Sequence, residues 1–127
     1  MREIFLVGAG GFAGSVARYL LSGFATRASG ASRFPFGTLT VNLLGCLLIG
    51  ILAGIAEQVP SFTPAVRLLL ITGVLGGFTT YSAFAFESYF LGKEGLYAMM
   101  LLNIAGQVVT GLLAVWVGHA MAVALAK

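Results

Sequence analysis

The sequence predicts an all-α membrane protein with four transmembrane helices, the third of them broken near its middle. Three observations lead there. Only 9% of the residues are charged while 59% are hydrophobic, whereas a soluble domain carries about 25% charged residues. Apolar stretches of about 20 residues, the length that crosses a bilayer as helix, occur four times. The third stretch contains "GVLGGFTTYSAFAFES", residues 73–88, where glycines and hydroxyls interrupt an apolar run.

The first span covers about residues 4–25. Gly10 and Gly14 in "GAGGFAG" form a small-xxx-small face for close helix contact. The same stretch imitates a dinucleotide-binding turn, but no acid follows at the required distance and no strand–helix alternation exists. A cleaved signal peptide fits poorly with Arg18 and three further spans. Arg18 lies about 21 Å along the helix from Ile4 at 1.5 Å per residue. It either snorkels to the nearer interface or offers a fixed positive charge to an aqueous vestibule, and the lack of a neutralising acid in the same span favours the vestibule.

The second span covers about residues 36–56. Asn42, Cys46, Gly50 and Gly54 recur every four residues and so share one face. The small members admit another helix, and the Asn42 amide must find either an interhelical partner or a ligand. In the third span, about residues 65–90, Thr63 and Pro64 suit the cap and first turn. The stretch is longer than a straight crossing requires. Gly73, Gly76 and Gly77, followed by Thr79 and Thr80, predict an interruption. Non-helical backbone survives at membrane depth only when buried in protein or lining water, and a break frees carbonyls and N–H groups that bind ions. Tyr81 and Phe84, three apart, share one side of the following half-helix, where ring edges can meet an anion. Taken alone they also read as core aromatics. The fourth span, about residues 95–125, carries Asn103, Gln107 and Thr110 as a polar stripe that suits a pathway or interhelical hydrogen bonding.

These spans make one four-helix transmembrane domain over residues 1–127 with no soluble appendage. Cys46 and His119 each stand alone, so neither builds a disulfide or a metal cluster. The net charge of +3 is scattered, which argues against a nucleic-acid partner. Arg2, Arg67 and Lys127 fall on one side of a four-span arrangement and Arg27, Arg33 and Lys93 on the other. That balance gives the positive-inside rule no preference. It is compatible with insertion in both orientations, though other determinants of one orientation stand as an equal alternative. An arginine, amides, hydroxyls and ring edges without an acid at mid-membrane point to a small anion-conducting pore.

"GGFAGSVARY", "PFGTLTVNLLGCLLIG" and "GVLGGFTTYSAF", in that order, resemble the Fluc/CrcB family of bacterial fluoride channels over essentially the whole chain. The resemblance implies an antiparallel dual-topology homodimer with two fluoride pores, in the cytoplasmic membrane, exporting fluoride to relieve its toxicity. It further implies a structural sodium ion at the dimer centre, held by the backbone carbonyls of Gly76 and Thr79. The implied fluoride pathway comprises Arg18, Asn42, Thr80, Tyr81, Ser82 and Phe84, with Asn103, Gln107 and Thr110 corresponding loosely to a fourth-helix polar track. Two positions depart from the family pattern: Tyr81 where phenylalanine is usual, and Ala83 where threonine is frequent. The alternatives are a proton-coupled multidrug exporter, which needs a membrane-embedded glutamate in its first span, and a non-conducting accessory subunit. An enzyme is disfavoured by the absence of a nucleophile–base pair.

Overall fold

The computed structural model describes residues 1–30, 32–59 and 62–125. Lys127, counted in the charge balance above, lies outside them. Four segments are long and apolar enough to cross a membrane: Arg2–Ala28, Phe36–Gln58, Pro64–Lys93 and Tyr97–Leu125. We label the first two α1 and α2. The third segment divides into α3 (residues 64–78) and α4 (Tyr81–Lys93), and the last segment is α5. No strand occurs among the described residues.

Capping follows the residue chemistry. Thr63 has extended backbone and its hydroxyl accepts from the Val66 N–H, with Pro64 in the first turn of α3. After α4, Gly95 adopts a positive φ of 75°. Its N–H donates to the Gly92 carbonyl at 3.0 Å, and that of Leu96 donates to Leu91 at 2.8 Å. This paired closure at a left-handed glycine turns the chain sharply into α5.

Glycine decides how the helices meet, because lipid supplies no hydrophobic drive for one helix to leave it for another. A Cβ at Gly10 would lie 2.5 Å from the Leu69 carbonyl oxygen, and one at Gly14 would clash with the Val74 carbonyl. A Cβ at Gly77 would lie 2.5 Å from the Gly11 carbonyl. The seam between α1 and α3 is therefore backbone against backbone. The predicted row on α2 makes a second seam, against α5. Gly50 admits the Val115 backbone, Gly54 the Ala122 side chain, and Gly118 of α5 admits the Leu47 backbone in return. Large apolar side chains such as Phe5, Phe12, Leu20, Leu112 and Trp116 point outward.

The third helix is broken, as expected, at Thr79 and Thr80, but the glycines before it play another part. The glycines Gly73, Gly76 and Gly77 do not break the third helix; they lie within it, and Gly73 and Gly77 pack against Gly10 and Gly11. The α3 backbone is unusual in another way: Leu68–Leu75 form the wider π-type winding, with the Gly76 N–H reaching the Ile71 carbonyl five residues back. The break comes after Phe78, at Thr79 and Thr80.

Gly14→Val should therefore destabilise the protein by about 1–3 kcal/mol or more, the range for overpacking. Gly8→Ala, where a Cβ meets nothing within 4 Å, should be neutral or stabilising by up to about 1 kcal/mol. Thermal unfolding of the two variants in detergent micelles checks this pair, and equal behaviour would dissolve the seam.

Candidate functional site

Thr79 (φ −83°, ψ 159°) and Thr80 (φ −149°, ψ 110°) are extended inside an otherwise helical span. Thr79 turns both its N–H and its hydroxyl back to the Leu75 carbonyl, each at 3.0 Å. The Thr80 N–H would continue the helix to the Gly76 carbonyl, but donates instead to Asn42 Oδ1 at 2.9 Å. The Thr80 carbonyl accepts from Asn42 Nδ2 at 3.2 Å. One side-chain amide thus pairs with both polar groups of a single peptide-chain residue, as a neighbouring strand would. The Thr80 hydroxyl then starts α4 by accepting from the Ala83 N–H at 3.2 Å.

From Asn42 the hydrogen bonding runs on through α5. Asn42 Nδ2 donates to Gln107 Oε1 at 2.7 Å, and Gln107 Nε2 donates to Asn103 Oδ1 at 2.9 Å. Asn103, fully buried, donates from Nδ2 to the Ser88 hydroxyl at 2.9 Å. Ser88 donates to the Phe84 carbonyl at 2.8 Å. Asn42 and Gln107 together border an apolar hollow of about 410 Å³, whose walls include Gly76, Thr79, Tyr81 and Phe84. The rings of Tyr81 and Phe84 are tilted at 56° with centroids 5.7 Å apart. Tyr81 is 80% exposed, so little of its ring is covered by its own chain.

A second hollow of about 480 Å³ lies between α1, α2 and α4, lined by Arg18, Ser22, Thr38, Thr80 and Glu87 among others. Thr80 borders both hollows. Arg18 Nη1 reaches the Thr79 carbonyl at 3.4 Å, a long contact for an N–H···O bond. An acid shares this hollow, nearer the end of the third span than its middle. Glu87 takes the Thr38 hydroxyl on Oε1 at 2.5 Å, while its buried Oε2 has no partner among the described residues. Reach explains its place there: Glu87 is one turn and a half into α4, and its side chain points back into the hollow rather than out to the interface.

The residues singled out from sequence are not all brought together. Asn42, Thr80, Tyr81, Phe84 and Gln107 share the first hollow, with Asn103 behind Gln107. Arg18 belongs to the second hollow. Ser82 is exposed, with its hydroxyl 3.3 Å from that of Thr80. Thr110 is exposed and bonds only the Gly106 carbonyl of its own helix, so the α5 stripe acts as a pair rather than a triplet. Sequence reasoning did not single out Thr38, Glu87 or Ser88. The available signal was Ser88 four residues past Phe84 and Glu87 as a carboxylate inside a span.

For a cation, the Gly76 carbonyl is the freed group, because its helical donor has gone to Asn42. The Thr79 carbonyl is shared with Arg18. Two carbonyls from one chain fall short of the several oxygen ligands a hard cation takes, so such a site fits this chain only where a second copy adds its own pair.

Comparison with known proteins places this geometry in a family. Residues 5–119 match the family described as CrcB-like protein, Camphor Resistance (CrcB). A relative from Methylobacillus flagellatus is 47% identical over 93% of this chain and 92% of its own length. One from Maridesulfovibrio salexigens is 46% identical over 87% of both chains. A third, from Nitratidesulfovibrio vulgaris, is 45% identical over 93% of this chain and 94% of its own. All three carry the name fluoride-specific ion channel FluC, the name of a membrane channel and not of an enzyme. With the family match spanning most of the chain and these identities along its length, the protein is a member of the CrcB family.

Proposed function

We propose that this chain forms a fluoride-selective channel of the cytoplasmic membrane that lets fluoride leave the cell and relieves its toxicity. The observation that carries the reading is the break at Thr79–Thr80, clamped by Asn42 beside the Tyr81–Phe84 ring pair. The name borne by relatives of 42–47% identity supports fluoride as the ion.

Fluoride is small and strongly hydrated, so a pore must replace its water with several modest interactions and still release it. The second hollow serves as vestibule. The Arg18 guanidinium raises the local anion concentration there, and the hydroxyl of Ser22 replaces water. The Thr80 region joins this vestibule to the first hollow, where Asn42, Gln107 and the ring edges of Tyr81 and Phe84 take over. Ring edges attract an anion without the deep well of a formal charge.

The working unit in this reading is an antiparallel dual-topology homodimer with two pores. The open, apolar first hollow and the exposed Tyr81 support it, since a second copy would close the hollow and cover the ring. A central sodium ion would be held by the carbonyls of Gly76 and Thr79 from each copy. When bound, it supplies fixed positive charge and ties the two helix breaks together. The Glu87 carboxylate is the one observation that favours a proton-coupled exporter instead. Its place in α4 rather than α1, and the channel name of the relatives, weigh against that reading.

Three outcomes follow. Cysteines introduced singly at Ser32 and Val59, on opposite sides of the membrane, in a Cys46→Ala background should both label from outside intact cells; labelling of one position alone would end the dual-topology reading. Replacing Thr79 with serine should leave sodium binding intact because backbone oxygens do the work, and anomalous scattering or ion substitution that finds no central cation would remove the site. Phe84→Ile keeps the span apolar but deletes the ring edge. Purified protein in liposomes should release fluoride and retain chloride, and Phe84→Ile should lower the fluoride rate by about tenfold or more, the effect of losing one interaction of about 1.4 kcal/mol. A folded Phe84→Ile dimer with the parental rate would return Phe84 to simple core packing.

A further inference from the structure

The hydrogen-bond relay from Asn42 to Ser88 has a direction, and the Thr80 backbone N–H sets it from the Asn42 end. The Thr80 N–H can only donate, so Asn42 must turn Oδ1 to it and Nδ2 towards Gln107. At rest Ser88 donates to the Phe84 carbonyl and uses a lone pair for Asn103. Between these ends Asn103 and Gln107 have no freedom of choice: each offers its NH₂ towards Ser88 and its carbonyl towards Asn42. Because amide orientation follows from the network, this assignment is forced while nothing lies between Asn42 and Gln107.

In this arrangement neither N–H of Asn42 is available. One goes to the Thr80 carbonyl and the other to Gln107 Oε1. An anion that simply approached Asn42 would meet the lone pairs of the Gln107 carbonyl. We propose that an anion is accepted by inserting between Asn42 and Gln107 while the relay reverses: Gln107 and Asn103 turn over, and Ser88 is the pivot. This rests on the reading of the first hollow as an anion pathway.

The bonds balance. At rest four hydrogen bonds run Asn42 to Gln107, Gln107 to Asn103, Asn103 to Ser88 and Ser88 to the Phe84 carbonyl. After reversal Asn42 and Gln107 each donate to the anion, Asn103 donates to Gln107, and Ser88 donates to Asn103. The number is unchanged. Without an anion the reversed relay would set two NH₂ groups face to face with nothing between them. The reversed form therefore exists only when an acceptor is present, which makes the extra donor conditional on the ion. A hydroxyl suits the pivot because it exchanges donor and acceptor roles by rotating one hydrogen. Insertion requires the Asn42–Gln107 separation to open from 2.7 Å to about 5 Å, two hydrogen-bond lengths. The 410 Å³ hollow that both residues border provides the room. Asn103 and Ser88 touch no ion in this scheme and act as positioning residues.

The chain contains two asparagines and two glutamines, so selective ¹⁵N labelling of side-chain amides gives a readable spectrum. The sample is the full-length protein in lipid nanodiscs, titrated with sodium fluoride and, in parallel, sodium chloride, with Gln107→Met assigning the Gln107 signals. Fluoride should shift the Gln107 amide protons downfield and add a splitting from ¹⁹F. It should also shift Asn103, which the ion does not touch, and chloride should do neither. Ser88→Ala leaves the resting orientation of Gln107 held by Asn42 but removes the hydroxyl that Asn103 turns to on reversal, so about tenfold more fluoride should be needed to shift Gln107 and Asn103, and Ser88→Thr should restore the parental titration. A fluoride response confined to Asn42 overturns the relay, as does a Ser88→Ala titration identical to the parent's. Fluoride efflux is measured on the same preparation: efflux with an unresponsive Gln107 rejects the reversal alone, and absence of efflux from the parent rejects the channel reading and the relay with it.

Discussion

Two extended residues in the middle of a membrane-spanning helix would be untenable if their peptide groups were left unpaired in lipid. The Asn42 amide resolves that difficulty by pairing with both the N–H and the C=O of Thr80. The rest of the site depends on this clamp. It releases the Gly76 carbonyl, opens α4 at Thr80 rather than one turn earlier, and thereby points Tyr81 and Phe84 at the hollow that Asn42 and Gln107 also border. A leucine at position 42, branched alike but without polar atoms, would leave two backbone groups bare, each an expense of about 1–3 kcal/mol.

The glycine seams are what bring Asn42 within reach. In α1 and α3 the approach is close enough that a single methyl group meets a carbonyl oxygen, and in α2 and α5 the same device sets Asn42 opposite Gln107. A Cβ at Gly45 would run into the Thr79 methyl, so even the first side chain of the break is seated on a glycine one turn from Asn42. Polar contact and close packing are thus one arrangement. The π-type winding of Leu68–Leu75 sits at the α1 seam, and windings of that kind recur at functional sites.

Much of this was legible before the structure. Scarce charge and four apolar stretches identify the spans, and the four-residue spacing of Asn42, Cys46, Gly50 and Gly54 marks the face that meets α5. The break in the third helix is legible too, at Thr79 and Thr80, although the glycines before it serve close packing instead. Glycine in a membrane helix has two meanings, flexibility and close approach, and sequence spacing does not distinguish them. What ends α3 is a better partner for the Thr80 N–H, and that partner is 38 residues away. Ser88, Thr38 and Glu87 were missed for the same reason. Each acquires its contacts from a residue on another helix, Ser88 from Asn103, and Thr38 and Glu87 from each other. The stripe on α5 looked continuous, yet Thr110 satisfies itself on its own helix, as a hydroxyl can and an amide cannot.

The central claim is that the Asn42 clamp holds the helix break in the form that passes an anion. Fluoride-electrode recording of efflux from liposomes bearing purified Asn42→Leu protein, beside the parent, tests it most directly. The account predicts a loss of about tenfold or more, the scale expected when buried backbone groups lose their partners, in a protein that still elutes and unfolds as a folded species. Parental efflux from folded Asn42→Leu protein would contradict it, because the break would then be held open by something other than Asn42.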